Sequence, residues 1–235
     1  VDQHDADYLH LILWDKEDLE IVGAYRLGDA AHLIKSKGQS GLYSTSLFNY
    51  EQGMEPYFKQ GLELGRSFVQ PKYWGKRSLD YLWYGIGAFL TRYPSYRYLF
   101  GPVSLSNSFP QPAKDLLVEF YQLYFGNKEG IAISNHPYRL PHDLQSQFTG
   151  ENYKEDFTTL KHLLANMGVA VPTLYKQYTE LFEPGGVQFL SFGVDPDFND
   201  CIDGLILVDL QKLKEKKRLR YMPERDTRVS QTHRH

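Results

Sequence analysis

Apolar and polar residues alternate in short runs along this chain, and the period of the alternation switches between two and 3.6. Residues 9–14 form an apolar run that ends in the polar turn Asp15-Lys16-Glu17-Asp18. Residues 21–27 follow as the second strand of a hairpin. From 29 to 60 the periodicity is lost and Gly, Ser and Tyr dominate. That predicts a long loop with short helical pieces, and a loop of such length is usually functional. Residues 62–69 read as a strand. Ser78 is expected to cap a helix in which Leu79, Leu82, Trp83, Ile86 and Leu90 keep helical spacing until Pro94. Residues 98–105 read as a strand, and 111–125 as an amphipathic helix stopped at Gly126.

A loop is expected over 131–149. Helices follow over 153–167 and 172–183, with Gly168 ending the first and Pro172 opening the second. Two strands, 187–194 and 202–210, close the pattern. Neither internal repeats nor low-complexity segments occur. Strands alternating with helices before a closing hairpin predict an α/β sandwich with a mixed sheet. The chain reads as one domain over 1–235 with a helical insertion at about 131–185.

Composition narrows the function classes. At 42% hydrophobic, the 235 residues hold ample material for a core. The 15% aromatic content either lines an acyl-chain tunnel or simply packs the interior. A net charge of -3 argues against a general nucleic-acid binder. The single Cys201 excludes a disulfide framework and a thiolate metal cage, and fits a reducing compartment. No run approaches the roughly 18 apolar residues of a membrane span, and the N-terminus is no signal peptide. The expected location is cytoplasmic. A chain that begins at Val1, just before an acidic motif, reads as trimmed or lacking its first segment.

Three charged signatures stand in order. They are Asp2-Gln3-His4-Asp5, then Val22-Gly23-Ala24-Tyr25-Arg26-Leu27, then Glu63-Leu64-Gly65-Arg66-Ser67-Phe68-Val69. A regular strand would point Glu63 and Arg66, three residues apart, to opposite faces. Gly65 between them suggests a bulge, which returns both side chains to one face. Arg26 on the neighbouring strand could then pair with Glu63, while Asp2 and Asp5 could reach Arg66. The residues themselves leave two readings open: a functional constellation, or an ion-pair network that orders the sheet edge.

Read together, these signatures resemble the front half of the acyl-homoserine-lactone synthases. They resemble still more the related GNAT-fold N-acyltransferases, bacterial enzymes that acylate ornithine, glycine or tyrosine, some of them called hemolysin-like. The resemblance continues through Gly101-Pro102-Val103-Ser104, Leu117-Val118-Glu119-Phe120-Tyr121, Val194-Asp195-Pro196-Asp197-Phe198-Asn199 and Lys217-Arg218. It implies a GNAT-like mixed sheet, splayed by a bulge that admits the pantetheine arm of an acyl donor. It also implies transfer of a long-chain, in some cases 3-hydroxy, acyl group to the amine of an amino acid. Glu63, Arg66 and Tyr121 are the catalytic candidates. Glu63 binds the ammonium and passes its proton through water, since a carboxylate held among arginines is a weak base. Tyr121, or Tyr124 beside it, protonates the leaving thiolate; a buried core tyrosine is the competing reading for each.

Arg26, Asp2, Asp5 and Ser104 are expected at the acceptor, with an arginine suited to its carboxylate. Ser67 and Phe68 are expected at the donor, where a backbone N–H freed by the bulge holds the oxyanion. Related acetyltransferases carry an R/Q-x-x-G-x-G/A loop next; here Gln70-Pro71-Lys72-Tyr73-Trp74-Gly75-Lys76-Arg77 replaces the second glycine with bulky basic residues. The helix start with Lys76 and Arg77 can still receive a phosphate, but the departure favours acyl carrier protein over acyl-CoA. The alternative is a solvated helix start. No cofactor beyond the acyl donor is expected, and no metal, because no histidine sits in an H-x-x-x-x-D or H-E-x-x-H pattern. The basic run 212–220 suits an anionic membrane surface or the carrier protein, or is a plain solvated terminus. The competing functions are an autoinducer synthase of the acyl-homoserine-lactone type and a non-catalytic acyl or carrier-protein binding module.

Overall fold

The period-two runs assemble into one six-stranded sheet, and their parity decides which residues meet on each side. The computed structural model describes residues 2–222; Val1 and residues 223–235, both ends of the expected domain, lie outside the described residues. The strands are β1 (Leu9–Asp15), β2 (Glu20–Asp29), β4 (Gly61–Val69), β5 (Tyr98–Leu105), β7 (Val187–Asp195) and β8 (Cys201–Asp209), in the order β1-β2-β4-β5-β8-β7. Only the β4–β5 pairing is parallel. Two short strands, β3 (Phe48–Tyr50) and β6 (Ala132–Ser134), form a second sheet.

The helices are α1 (Ala30–Lys37), α2 (Glu55–Phe58), α3 (Ser78–Arg92), α4 (Gln111–Phe125), α5 (Tyr153–Asn166), α6 (Thr173–Leu181) and α7 (Glu215–Tyr221). On one face of the sheet, Leu62, Leu64, Leu99, Val103, Ile202 and Ile206 share a core with α3 to α7. On the other face Phe100, Leu190, Leu205 and Leu207 pack against α1, Leu42, Phe48, Met54 and Phe58. Glu63 follows from parity: it alternates with Leu62 and Leu64, so it enters the second face.

Four expectations need correction. The segment 29–60 holds the short helical pieces expected of it, but also the strand β3. Asp29 accepts from the His32 backbone N–H at 2.9 Å and caps the two-turn α1, whose buried residues are only Ala30 and Leu33. So narrow a stripe leaves no periodic signal. The 131–149 stretch contains β6, three residues long and therefore without a readable period. Ser78 does not cap α3; Arg77 holds the cap position without a side-chain bond, and the Ser78 hydroxyl donates to the Tyr73 carbonyl at 3.4 Å. The basic run 212–220 is not a plain solvated terminus, although Lys212, Lys216 and Arg220 are exposed. Much of it winds into α7, whose Tyr221 is buried and donates to Asp80 of α3 at 2.7 Å.

Candidate active site

β4 and β5 stay together for only three residue pairs, Gly61–Glu63 against Tyr98–Phe100. Beyond that register they part. Two backbone features accompany the separation. Between the pairs Ala24–Phe68 and Arg26–Gly65, β4 spends one residue more than β2, which is a bulge. The residue that turns is Arg66, at φ +48°, and not Gly65, so the expected bulge lies one position later than the glycine suggested. On the other side Gly101 sits at φ +154°, where an added Cβ would lie 2.0 Å from the Leu64 carbonyl oxygen. Only glycine lets β5 pass there.

A cavity of about 10 Å³ occupies the gap, bordered by Gly65, Ser67, Phe100, Gly101 and Pro102. Leu174 and Tyr178 of α6 and Tyr25 of β2 close it from the helical side. Lys76 and Arg77, expected to receive a phosphate of the donor, do not line it. Their rim is largely neutralised: Arg77 pairs with Asp80 at 2.8 Å and Lys72 with Asp18 and Glu20 at 2.6 and 2.7 Å. Lys76 lies over the Tyr73 ring.

Arg26 and Glu63 share the second face, but they do not pair. Among the described residues Glu63 has no ion pair and is 1% exposed. Its Oε1 accepts from the Ser44 backbone N–H at 2.7 Å and from the Ser44 hydroxyl. Its Oε2 accepts from the Tyr43 N–H at 3.1 Å and from the Tyr8 hydroxyl. Four donors saturate a carboxylate. Since the Ser44 hydroxyl gives its proton to Glu63, Tyr50 donates in turn to Ser44 at 2.6 Å. Burial beside the Glu63 charge pushes the Tyr8 hydroxyl well above the usual tyrosine range.

Arg26 turns instead to the acidic turn at the start of the chain. Its Nη1 donates to both oxygens of Asp2 at 2.8 Å and to Asp5 at 2.9 Å. Arg66, 58% exposed, donates to the same Asp2 at 2.7 Å. The turn holds its own shape, with Asp2 N–H on Asp5 at 2.8 Å and His4 N–H on Asp2 at 2.9 Å. Burial opposes ionisation of Asp2, but the Arg26 hydrogen bond, the His4 N–H and both guanidinium charges hold its carboxyl at about 2. The Arg26 guanidinium lies 4.9 Å from the centroids of both the Tyr8 and Tyr43 rings. Arg66 reaches the same Tyr43 ring at 5.9 Å. Tyr43 therefore joins the two halves: its backbone binds Glu63 and its ring meets both arginines.

Ser104 on β5 faces Asp203 of β8 and donates to it at 2.5 Å. Tyr121 lies on the opposite face of the sheet, fully buried against Tyr175 and Phe189, and its hydroxyl has no hydrogen-bond partner among the described residues. Tyr124 donates to Asp156 at 2.6 Å. Sequence reasoning passed over Tyr8, Tyr43, Ser44 and Asp203. The one local trace of Tyr8 is Gly28, where a Cβ would lie 2.3 Å from the Tyr8 ring. The contacts of Tyr8 and Ser44 with Glu63 span 55 and 19 residues, beyond any local pattern.

Residues 1–84, from the acidic turn into α3, match the acetyltransferase (GNAT) domain family. The chain is similar to a glycine N(alpha)-acyltransferase of Phocaeicola vulgatus, at 28% identity over 94% of this chain and 72% of that relative. It is similar also to an L-ornithine N(alpha)-acyltransferase of Brucella abortus, at 34% identity over 47% of this chain and 42% of that protein. Among solved structures, a CoA-dependent acyl-homoserine lactone synthase, MesI, aligns over 94% of this chain and 72% of its own, with 12% identity and a TM-score of 0.42.

Proposed function

We propose, from the premise that this chain is an acyltransferase of the GNAT type, that it joins a long-chain acyl group to the amine of glycine or ornithine. The product is an N-acyl amino acid. One observation carries the reading: Gly65, which borders the gap between β4 and β5, pairs with Arg26 and precedes Arg66, and these two arginines share one aspartate. A thioester carbonyl in that gap lies against the bulged backbone of Ser67 and Phe68, where a ladder N–H is released to meet the developing oxyanion. Arg66 and Arg26 offer planar donors to the acceptor carboxylate. Glu63 acts through others, by holding the Tyr8 hydroxyl and the backbone that sets Tyr43 over Gly65. The activities of the two relatives, on glycine and on ornithine, support the acceptor class.

The donor reading is acyl carrier protein. The loop before α3 carries Lys76 and Arg77 where a phosphate-binding loop would carry a second small residue, and a helix start so crowded suits a protein partner better than a free pyrophosphate. The reaction needs no further cofactor. Incubating the purified protein with acyl carrier protein or coenzyme A thioesters, and with glycine or ornithine, tests both parts by mass spectrometry. A new amide from the carrier-protein thioester is expected. Acyl binding without any amide would leave a binding module, and a lactone product from S-adenosylmethionine would make the chain an autoinducer synthase.

A further inference from the structure

Next to the gap, where β5 meets β8, lies a second polar group that the charged motifs do not announce. On the face shared by Arg26 and Glu63, the register carries Phe100, Pro102 and Ser104 of β5 opposite Leu207, Leu205 and Asp203 of β8. Arg26 stands opposite Gly65 on the far side of the gap. Asp203 is 3% exposed, and its one hydrogen-bonded neighbour among the described side chains is Ser104. Asp195, at the end of β7, is also buried and accepts only from the Asp197 backbone N–H at 3.0 Å. Neither carboxylate has an ion pair among the described residues. Two buried carboxyls without a cation are costly to ionise, and an arriving ammonium would relieve that cost.

A separate observation on β2, across Gly65, also points to a ligand. Arg26, 1% exposed, spends only Nη1 on Asp2 and Asp5; its Nε and Nη2 are buried with no partner. Those two donors form the edge of a guanidinium that binds a carboxylate in parallel. Burial pushes the Tyr43 hydroxyl up; the Arg66 and Arg26 charges oppose that shift and the Asp203 and Asp195 charges add to it. The β2–β4 side thus offers cations and the β5–β8 side carboxyls.

We infer that Asp203, oriented by Ser104, receives the ammonium group of the amino-acid acceptor and removes its proton, while Arg66 and the unspent edge of Arg26 take the acceptor carboxylate. This rests on the N-acyltransferase reading and places the proton acceptor on β8 rather than at Glu63. The ammonium gives one proton to the Asp203 carboxylate. Its freed electron pair bonds to the thioester carbonyl carbon, and the carbonyl π pair moves to oxygen at the bulge. When that pair returns, the carbon–sulfur bond breaks and its electrons leave on sulfur. A second proton passes from nitrogen to the thiolate, so amide and thiol result, and Asp203 releases its proton to solvent.

Electrostatics agree with this role. Burial, opposed by the Ser104 hydrogen bond and reinforced by the Asp195 charge, raises the Asp203 carboxyl to about 6. A base in that range is half-ionised close to working pH. Besides Asp195, the titratable groups that sense the Asp203 charge are Tyr43, Tyr175 and Cys201, whose thiol burial and that charge push up to about 12. All three are neutral over the relevant range.

The experiment measures kcat/KM for glycine and ornithine from pH 5 to 8 in wild type, Asp203→Asn and Ser104→Ala, with thermal unfolding of each. Wild type is expected to rise through an acid limb near pH 6 and level off. Asp203→Asn should fold and lose about 10²-fold or more of kcat/KM, as a positioned proton-transfer group does, with no limb remaining. Ser104→Ala removes a donor to the charged form and should move the limb to higher pH while recovering turnover there. A purely structural aspartate would leave the limb where it was. A folded Asp203→Asn with the wild-type profile, or a Ser104→Ala limb that does not move, overturns the assignment and spares the acyltransferase reading. Wild type that forms no amide at any pH overturns both.

Discussion

Glu63 shows how one residue can be central to a site and still lie out of reach of a substrate. Each of its oxygens already accepts two hydrogen bonds, from Ser44 twice, from Tyr43 and from Tyr8. Glu63→Gln replaces one acceptor oxygen with an N–H₂ group that faces donors. The hydroxyls of Tyr8 and Ser44 can rotate to accept from it, but the backbone N–H groups cannot. At least one of them should lose its acceptor, at a cost of about 1–3 kcal/mol. Because Tyr43 hangs from that backbone, kcat/KM should fall with the melting temperature. Denaturation and initial rates on one preparation separate the cases. A destabilised variant whose folded fraction turns over at the wild-type rate would remove Glu63 from the mechanism. Lost turnover at unchanged stability would return to it the direct role that the motif suggested.

At the scale of elements, the separation of β4 from β5 depends on two backbone positions of opposite kind. Arg66 tolerates a left-handed φ that a non-glycine residue reaches only at some cost. Gly101 has no such latitude. Gly101→Ala would drive a Cβ against the Leu64 carbonyl and force either strand aside, and the strain and overpacking together should cost about 2–5 kcal/mol. Urea denaturation should show a lower midpoint with an unchanged slope. Stability within about 0.5 kcal/mol of wild type would mean that β5 relaxes freely, and the tight passage at Leu64 would not shape the gap. The same gap is closed from the helical side by Leu174 and Tyr178. The cavity there is only about 10 Å³.

For the whole molecule, two aspartates set opposite pH dependences. The Asp203 carboxyl lies at about 6, above its ordinary 3.8, so the folded state binds its proton more tightly than the unfolded chain does. Its contribution to stability is full below pH 3.8 and is lost as pH rises through about 6. Asp2, held at about 2, contributes above pH 3.8 and loses that contribution as pH falls through about 2. Stability should therefore be greatest at mildly acid pH. Asp203→Asn should abolish the decline between pH 4 and 7 and gain on wild type by on the order of 3 kcal/mol at neutrality. Urea unfolding at pH 4, 5.5 and 7 checks the sign. A variant that gains nothing from pH 4 to 7 would show that Asp203 is not held unpaired. Among the described residues no helix is long and apolar enough to cross a membrane.

Much of this could be read from the chain alone, wherever the deciding interactions are local. The six strands of the main sheet follow from short apolar runs and helices α3 to α6 from 3.6-residue spacing, signals that act between neighbours a few residues apart. The charged motifs at Asp2, Arg26, Glu63 and Arg66 and the bulge in β4 were legible for the same reason. What tertiary structure alone decided is who meets whom. Arg26 took Asp2 and Asp5 rather than Glu63, because the turn at Asp2 reaches Arg26 while Tyr8 and the Tyr43–Ser44 backbone enclose Glu63. The 29–60 segment carried those partners, and its helix and strand are too short to leave a period. Asp203 was invisible because its meaning comes from Ser104, 99 residues away, and from a gap between strands that no single strand encodes. Periodicity shows which way a side chain points. Only the assembled sheet shows what it finds there.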